Sequence, residues 1–229
     1  VTGASKGIGL AIAERLLGAG RHAEALEWVR KPTRSGLRIL TREDLADGLS
    51  PFEYEDSKQV ALELQILEAM GEREKAQELR WKTFLETLDA EILREHVNRL
   101  PDFEDAEVLD RAFVHGGTAK DKYRALAFFL SLPKLDLAAR LITDNLAHWD
   151  GRNYWILAPA AETLEPDHPL AATILYRVLL DQILASARAK AYSHAARYLA
   201  NLDAMADRIS GDATVPSHAT YKTEHKKKH

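Results

Sequence analysis

Arg21-His22-Ala23-Glu24-Ala25-Leu26-Glu27-Trp28-Val29-Arg30 is the stretch on which the fold turns. Its apolar residues recur at three- and four-residue intervals, with Ala25 followed by Trp28 and Val29, and polar residues fill the other positions. That period marks one face of an α-helix and excludes a strand, in which apolar and polar residues alternate. Just before it, Gly18-Ala19-Gly20 supplies glycine, which tolerates the left-handed conformation that ends a helix. Leu10 to Leu17 carries the same helical period. Leu10 to Arg30 therefore reads as a helix hairpin.

Outward from this hairpin the pattern first breaks. Between Lys31 and Asp56, Pro32, Gly36, Gly48 and Pro51 punctuate the chain, and Leu37-Arg38-Ile39-Leu40 is the one candidate for a short strand. Residues 31–56 are expected to be a connector. After Asp56, which suits a helix cap, Val60, Leu62, Leu64, Ile66, Leu67 and Met70 lead to Gly71, and Ala76, Leu79, Phe84 and Leu88 follow beyond it. Asp89 caps a helix from Ala90 to Leu100, Pro101 stops it, and Glu104 to His115 is helical up to Gly116-Gly117. Lys120 to Leu132 and Leu135 to Trp149 pair across Pro133, and Tyr154 to Leu164 follows the Asp150-Gly151 turn. Leu170 to Ala187 is expected to be the longest apolar helix, with Ala189 to Ile209 packed beside it to close the core.

Three hairpins superpose, with Ala25, Ala76 and Ala138 equivalent, each a few residues after Gly20, Gly71 or Pro133. A small residue there lets two helices approach closely, and Trp28, Leu79 and Leu141 fall together at the packing face. The offsets are too uneven for a strict repeat. The expected fold is all-α, with antiparallel helix hairpins in a degenerate tetratricopeptide-like array or bundle. The expected organisation is an N-terminal glycine motif and hairpin over 1–30, the connector over 31–56, a helical domain over 57–210 and a basic tail over 211–229.

Two resemblances bear on function. Thr2-Gly3-Ala4-Ser5-Lys6-Gly7-Ile8-Gly9 resembles the glycine loop of the short-chain dehydrogenase/reductase family, and residues 10–17 resemble the helix that follows it. The resemblance implies a nicotinamide dinucleotide, NAD(P), on Gly3, Gly7, Ile8 and Gly9, with the pyrophosphate at a helix N-terminus. Such a loop works between a strand and a helix, and here a single residue, Val1, precedes it. The second strand, due after Gly20, is replaced by the helical stretch quoted above. Tyr54 and Lys58 match the family's Tyr-x-x-x-Lys, but about fifty residues beyond the loop, roughly a third of the usual distance. No Asn-Asn-Ala-Gly segment occurs, and no suitably placed serine precedes Tyr54. The motif is therefore expected to be an inherited or misjoined terminus that caps the first helix.

The second resemblance covers the body from about residue 56. Leu100-Pro101-Asp102-Phe103, Asp150-Gly151-Arg152-Asn153-Tyr154, Leu157-Ala158-Pro159-Ala160-Ala161, His168-Pro169-Leu170-Ala171-Ala172 and Tyr192-Ser193-His194-Ala195-Ala196-Arg197-Tyr198-Leu199 carry it. They resemble an uncharacterised bacterial family of helical proteins of unknown function, similar in turn to the helical region beside some SWIM zinc-finger domains. These are packing signatures, and the resemblance implies a helical interaction module.

Composition narrows the chemistry. There is no cysteine among 229 residues, which excludes disulfides, thiolate zinc sites and thiol nucleophiles and permits a reducing cytoplasm, the expected location. A net charge of -4 offers no global attraction to nucleic acid. Charges interrupt every apolar run, and no membrane span is expected. His218, His225 and His229 would share a helix face near Glu224, but Lys222, Lys226, Lys227 and Lys228 repel a cation, and a solvated tail without metal is expected. Tyr221 and those lysines could touch a nucleic acid, but with an acidic total charge and no second basic stripe a solubilising tail is expected and nucleic-acid binding is not. His96 and His115 are isolated, and the acid pairs Glu53/Glu55 and Asp102/Glu104 read as caps and solvated loop surface.

One cluster fits partner binding. Trp149, Arg152, Tyr154 and Trp155 gather aromatic rings and a guanidinium around one turn, a composition favoured at binding hot spots. Trp149, Arg152 and Tyr154 are the candidate partner-binding residues, and the same residues would also suit a joint between helix pairs. The expected function is a non-enzymatic helical scaffold or protein-interaction module for an unknown protein or peptide, with no cofactor. The alternative is an NAD(P)-dependent oxidoreductase.

Overall fold

The computed structural model describes residues 4–31, 51–101, 103–186, 191–209 and 215–228. Every regular element among them is a helix, so the protein is all-α. The candidate strand at Leu37 to Leu40 lies outside the described residues. The chain divides into two compact units, Val1–Asp105 and Ala106–His229.

The first unit contains α1 (Ala4–Gly18), α2 (His22–Arg30), α3 (Pro51–Ala69), α4 (Arg73–Thr87) and α5 (Ala90–Val97). α1, α2 and α3 pack on one another, α4 packs on α3, and α5 on α4. Ala13, Ala25, Val29, Leu62 and Ile66 form the core where the first three helices meet, and Leu10, Leu17 and Trp28 pack around it. A second cluster of Leu64, Leu67 and Ala76 joins α3 to α4. The alanines let the backbones approach, as their spacing predicts, and Ala25, Ala76 and Ala138 are all buried.

The hairpin turns share one hydrogen-bond plan. Gly20 and Gly71 adopt left-handed backbone with φ of 72° and 75°. In each turn the glycine N–H donates three residues back, Gly20 to Leu17 O and Gly71 to Glu68 O. The next residue donates five back, Arg21 to Leu16 O and Glu72 to Leu67 O. These two bonds define the Schellman closure, which satisfies the last carbonyls of a helix. At the third turn the Lys134 N–H keeps the five-residue bond, to Phe129 O, while Pro133 has no N–H to donate the other.

α3, α4 and α5 meet around Arg80, whose side chain is 2 % exposed. Its guanidinium donates to Gln77 Oε1 at 3.1 Å and to Glu68, and Nε lies 3.5 Å from Glu95. A charge withdrawn from water needs such partners, and Arg99 braces both carboxylates from outside, at 3.2 Å from Glu68 and 3.9 Å from Glu95. Asp89 caps α5 by accepting from the N–H groups of Glu91 and Ile92.

The second unit is built around α10 (Pro169–Ser186), with α6 (Asp105–Thr118, its first residue in the first unit), α7 (Lys122–Ser131), α8 (Leu135–Asp144), α9 (Tyr154–Leu164), α11 (Tyr192–Met205) and α12 (His218–Lys228). Short 3-10 turns occupy Leu146–His148, Gly151–Asn153 and Ala206–Ile209. α8, α9 and α11 all pack on α10, which is apolar nearly all round and buried from Ala171 to Arg177 and at Leu179 and Leu180. Among the described helices α10 is long and apolar enough by length and composition to cross a membrane, which differs from the reading of a run broken by charges. Half of it is buried inside the protein, the position of a core helix.

Two boundaries differ from the sequence expectation. α1 begins at Ala4, so the glycine motif enters the helix instead of looping before it. The acid pair Glu53/Glu55 lies in α3 instead of a loop, and Asp102 lies outside the described residues.

Candidate functional site

The turn after α8 is clamped to the core before it presents anything to solvent. Trp149 is buried, and its indole N–H donates to Ile142 O at 3.1 Å. Its ring meets Tyr123 edge to face with centroids 5.4 Å apart, a favoured aromatic geometry. The Tyr123 hydroxyl accepts from the Asp150 N–H at 2.8 Å. Asp150 then caps the Gly151–Asn153 turn, accepting from the Arg152 N–H at 2.9 Å. It also pairs with the Arg152 guanidinium, at 2.8 Å to Nε and 2.5 Å to Nη2. That bonding holds the Asp150 carboxyl below the usual carboxylate range and raises Arg152. Gly151 lies against α10 so closely that a Cβ there would sit 2.5 Å from the Val178 carbonyl oxygen.

Beyond this anchored turn, Tyr154 and Trp155 open α9 and stand 63 % and 60 % exposed, their rings edge to face at 5.5 Å. They form the lip of a groove of about 870 Å³. One wall is α9, through Trp155, Ala158 and Pro159, the floor is α10, through Leu179, Gln182 and Ile183, and the other wall is α11, through His194, Arg197 and Tyr198. Pro159 lies inside α9 and has no N–H to donate to the Trp155 carbonyl. The basic side chains of the described lining are Arg152, His194 and Arg197, with no carboxylate among the described residues that line it. A concave apolar surface with a few placed polar groups suits capture of an apolar ligand or side chain.

The structure separates the candidates proposed from sequence. Arg152 and Tyr154 line the groove, whereas Trp149 sits behind it as packing, with its indole N–H already engaged. Trp149 fills the joint, and Tyr154 and Trp155 face solvent. Leu179, Ile183, His194, Arg197 and Tyr198 were missed as site residues. The helical period that identifies α10 and α11 does not reveal which faces of them come to flank α9.

The glycine motif is helical from Ala4 onward. Gly3 lies outside the described residues, Gly7 and Gly9 fall within α1, and Ile8 is an exposed position of that helix. No strand occurs among the described residues, so these residues form helix where the cofactor fold needs a strand and a loop. Tyr54 and Lys58 are one helical turn apart in α3.

The C-terminal cluster is also more ordered than a solvated tail. Tyr221 on α12 is buried, donates to Asp181 Oδ1 at 2.5 Å and stacks with Arg177, whose guanidinium lies 4.6 Å from its ring centre. Arg177 Nη1 donates to Pro216 O. His218 and Lys222 both reach Asp203 Oδ1, at 2.5 and 2.8 Å. Lys222, and His218 after it, hold the Asp203 carboxyl below its ordinary range, and burial pushes the Tyr221 hydroxyl well above its own. His229 and the side chain of His225 lie outside the description, and among the described residues no three His, Asp or Glu side chains gather as metal ligands. A hollow of about 410 Å³ in the first unit is lined by Arg73, Arg80 and Arg99 and by Glu68, which pairs with the last two.

No curated protein and no solved structure matches the chain. The model of the family of unknown function DUF6880 matches residues 3–229, a span that takes in the glycine motif together with the helical body. The chain belongs to the family of unknown function DUF6880.

Proposed function

We propose that this protein is a non-enzymatic helical interaction module that seats a segment of a partner protein in the groove between α9, α10 and α11. The observation that carries the reading is the pair Tyr154 and Trp155, two large rings held in solvent by a turn that is itself clamped to the core. Exposed apolar surface on a rigid support is costly in isolation and favours association, and Trp, Tyr and Arg are the residues enriched where binding energy concentrates. Rigid aromatics lose little conformational entropy on docking. The matched hairpin turns support a tetratricopeptide-like character for the helix pairs, a style of structure used for binding. The partner is a protein segment and not a nucleic acid, since the chain is acidic overall and Lys222 of the basic end is committed to Asp203.

Site-specific photo-crosslinking in cells tests this. A benzophenone amino acid at Trp155 is expected to trap one discrete protein, and the same group at Val114, exposed on α6, is expected not to trap it. Tyr154→Ala together with Arg152→Ala should abolish capture while the melting temperature stays unchanged. Equal crosslinking from both positions, or loss of capture that follows unfolding, would sink the proposal.

A further inference from the structure

The groove restricts what can occupy it. α9 and α11 each pack on α10, so the opening is a trough among helices, and the described residues offer no strand edge on which an extended peptide could add a strand. A trough of that kind takes a helix, whose side-chain ridges fit between those of its neighbours. Along α10 the lining runs from Leu179 to Ser186, about 10 Å at 1.5 Å per residue, close to two helical turns. Trp155, Pro159, Leu179 and Ile183 call for apolar side chains on one face of the occupant.

Charge decides the other face. Arg152, His194 and Arg197 are the basic residues among the described lining. Asp150 accepts from Nε and Nη2 of Arg152, leaving both N–H donors of Nη1 and one of Nη2. Glu162 approaches Nη2 of Arg197 at 3.3 Å, leaving Nε and Nη1. Each guanidinium is steadied by a carboxylate from outside the lining and keeps further N–H donors, which water meets until a partner's acceptors replace it, and no carboxylate stands among the described lining residues. We propose that the groove binds an acidic amphipathic helix, with apolar residues at i, i+3 or i+4 and i+7 on one face and carboxylates beside them. This inference rests on the docking role proposed above.

The test uses the full chain and three fluorescein-labelled probes read by anisotropy. One is a helical peptide with leucines along one face and glutamates on the other, the second has lysine in place of each glutamate, and the third is proline-rich and extended. The glutamate helix is expected to bind at least about tenfold more tightly than the lysine helix, with the advantage shrinking as salt rises. Arg152→Glu with Arg197→Glu should reverse that preference, and Trp155→Ala should remove binding of either helix, each variant being checked for an unchanged circular-dichroism melt. If the lysine helix or the extended peptide binds best and Trp155→Ala abolishes it, the acidic-helix inference fails while the docking role stands. If no probe binds, or binding ignores Trp155, both fail.

Discussion

At Gly151 an added Cβ would sit 2.5 Å from the Val178 carbonyl oxygen and 2.5 Å from Gln182 Cβ, and the first of these is backbone that cannot swing away. At Gly9, by contrast, an added Cβ meets nothing within 4 Å and the residue lies inside α1. The two glycines should answer the same substitution with opposite signs. Gly151→Ala is expected to cost about 1–3 kcal/mol by overpacking, lowering the melting temperature and loosening the turn that presents Tyr154 and Trp155. Gly9→Ala is expected to stabilise the protein by up to about 1 kcal/mol, because alanine restricts the unfolded chain and favours helix. Thermal melts of both variants check this, and a destabilised Gly9→Ala would mean that the glycine motif needs its glycines as a cofactor loop does. Residue identity alone was ambiguous at both positions. Gly151 reads as an ordinary turn glycine until α10 is known to lie against it, and Gly9 reads as part of a phosphate loop until the helix is known to begin at Ala4.

Among the elements, α2, α5 and α8 were legible from a strong apolar period, α5 also from its Asp89 cap, and the turns at Gly20 and Gly71 from their glycines. α12 was not, because its sequence is polar and lysine-rich, and a single residue, Tyr221, carries most of its attachment to α10. α12 is also tied electrostatically to Asp203 of α11, and the pH limits of both ties follow from the direction of each shift. Asp203 is held below its ordinary range, so its contribution is present above about pH 4, the usual carboxylate value, and fades as pH falls through the lower native value. The Asp203 side chain is half exposed, so water and salt screen its pairs with Lys222 and His218 and the contribution is small. Tyr221 is raised, so its contribution is complete below about pH 10 and is lost as pH rises through the higher native value. Arg177 stacks on its ring, Asp181 accepts from its hydroxyl, and burial outweighs the favourable charge of Arg177. In a spectrophotometric titration followed at the tyrosinate band, two rings, Tyr176 and Tyr221, are expected to ionise late in the native protein, and Tyr221→Phe should reduce that late amplitude to the share of Tyr176. An unchanged late amplitude in the variant would mean that α12 does not bury its tyrosine.

For the whole molecule, the helical class was legible because its evidence repeats along the chain: the helical period recurs in segment after segment between Leu10 and Leu202. The division at Asp105 was not, since it falls at the start of α6 and no composition change marks it. The opening residues were misleading for a physical reason: a glycine motif names a cofactor loop only when a strand delivers the chain to it, and here residues 4–18 are one helix. A functional dinucleotide site would stabilise the entire fold by mass action, since ligand that binds the native state alone contributes RT ln(1 + [L]/Kd). With NADPH at a hundredfold excess over Kd that would be about 2.7 kcal/mol, enough to raise the melting temperature of a chain this size by several degrees. Melting curves with millimolar NADH or NADPH are expected to overlay the curve without either. A dose-dependent rise would restore the oxidoreductase reading, and its absence together with a stabilised Gly9→Ala would leave the motif as the first turns of a packed helix.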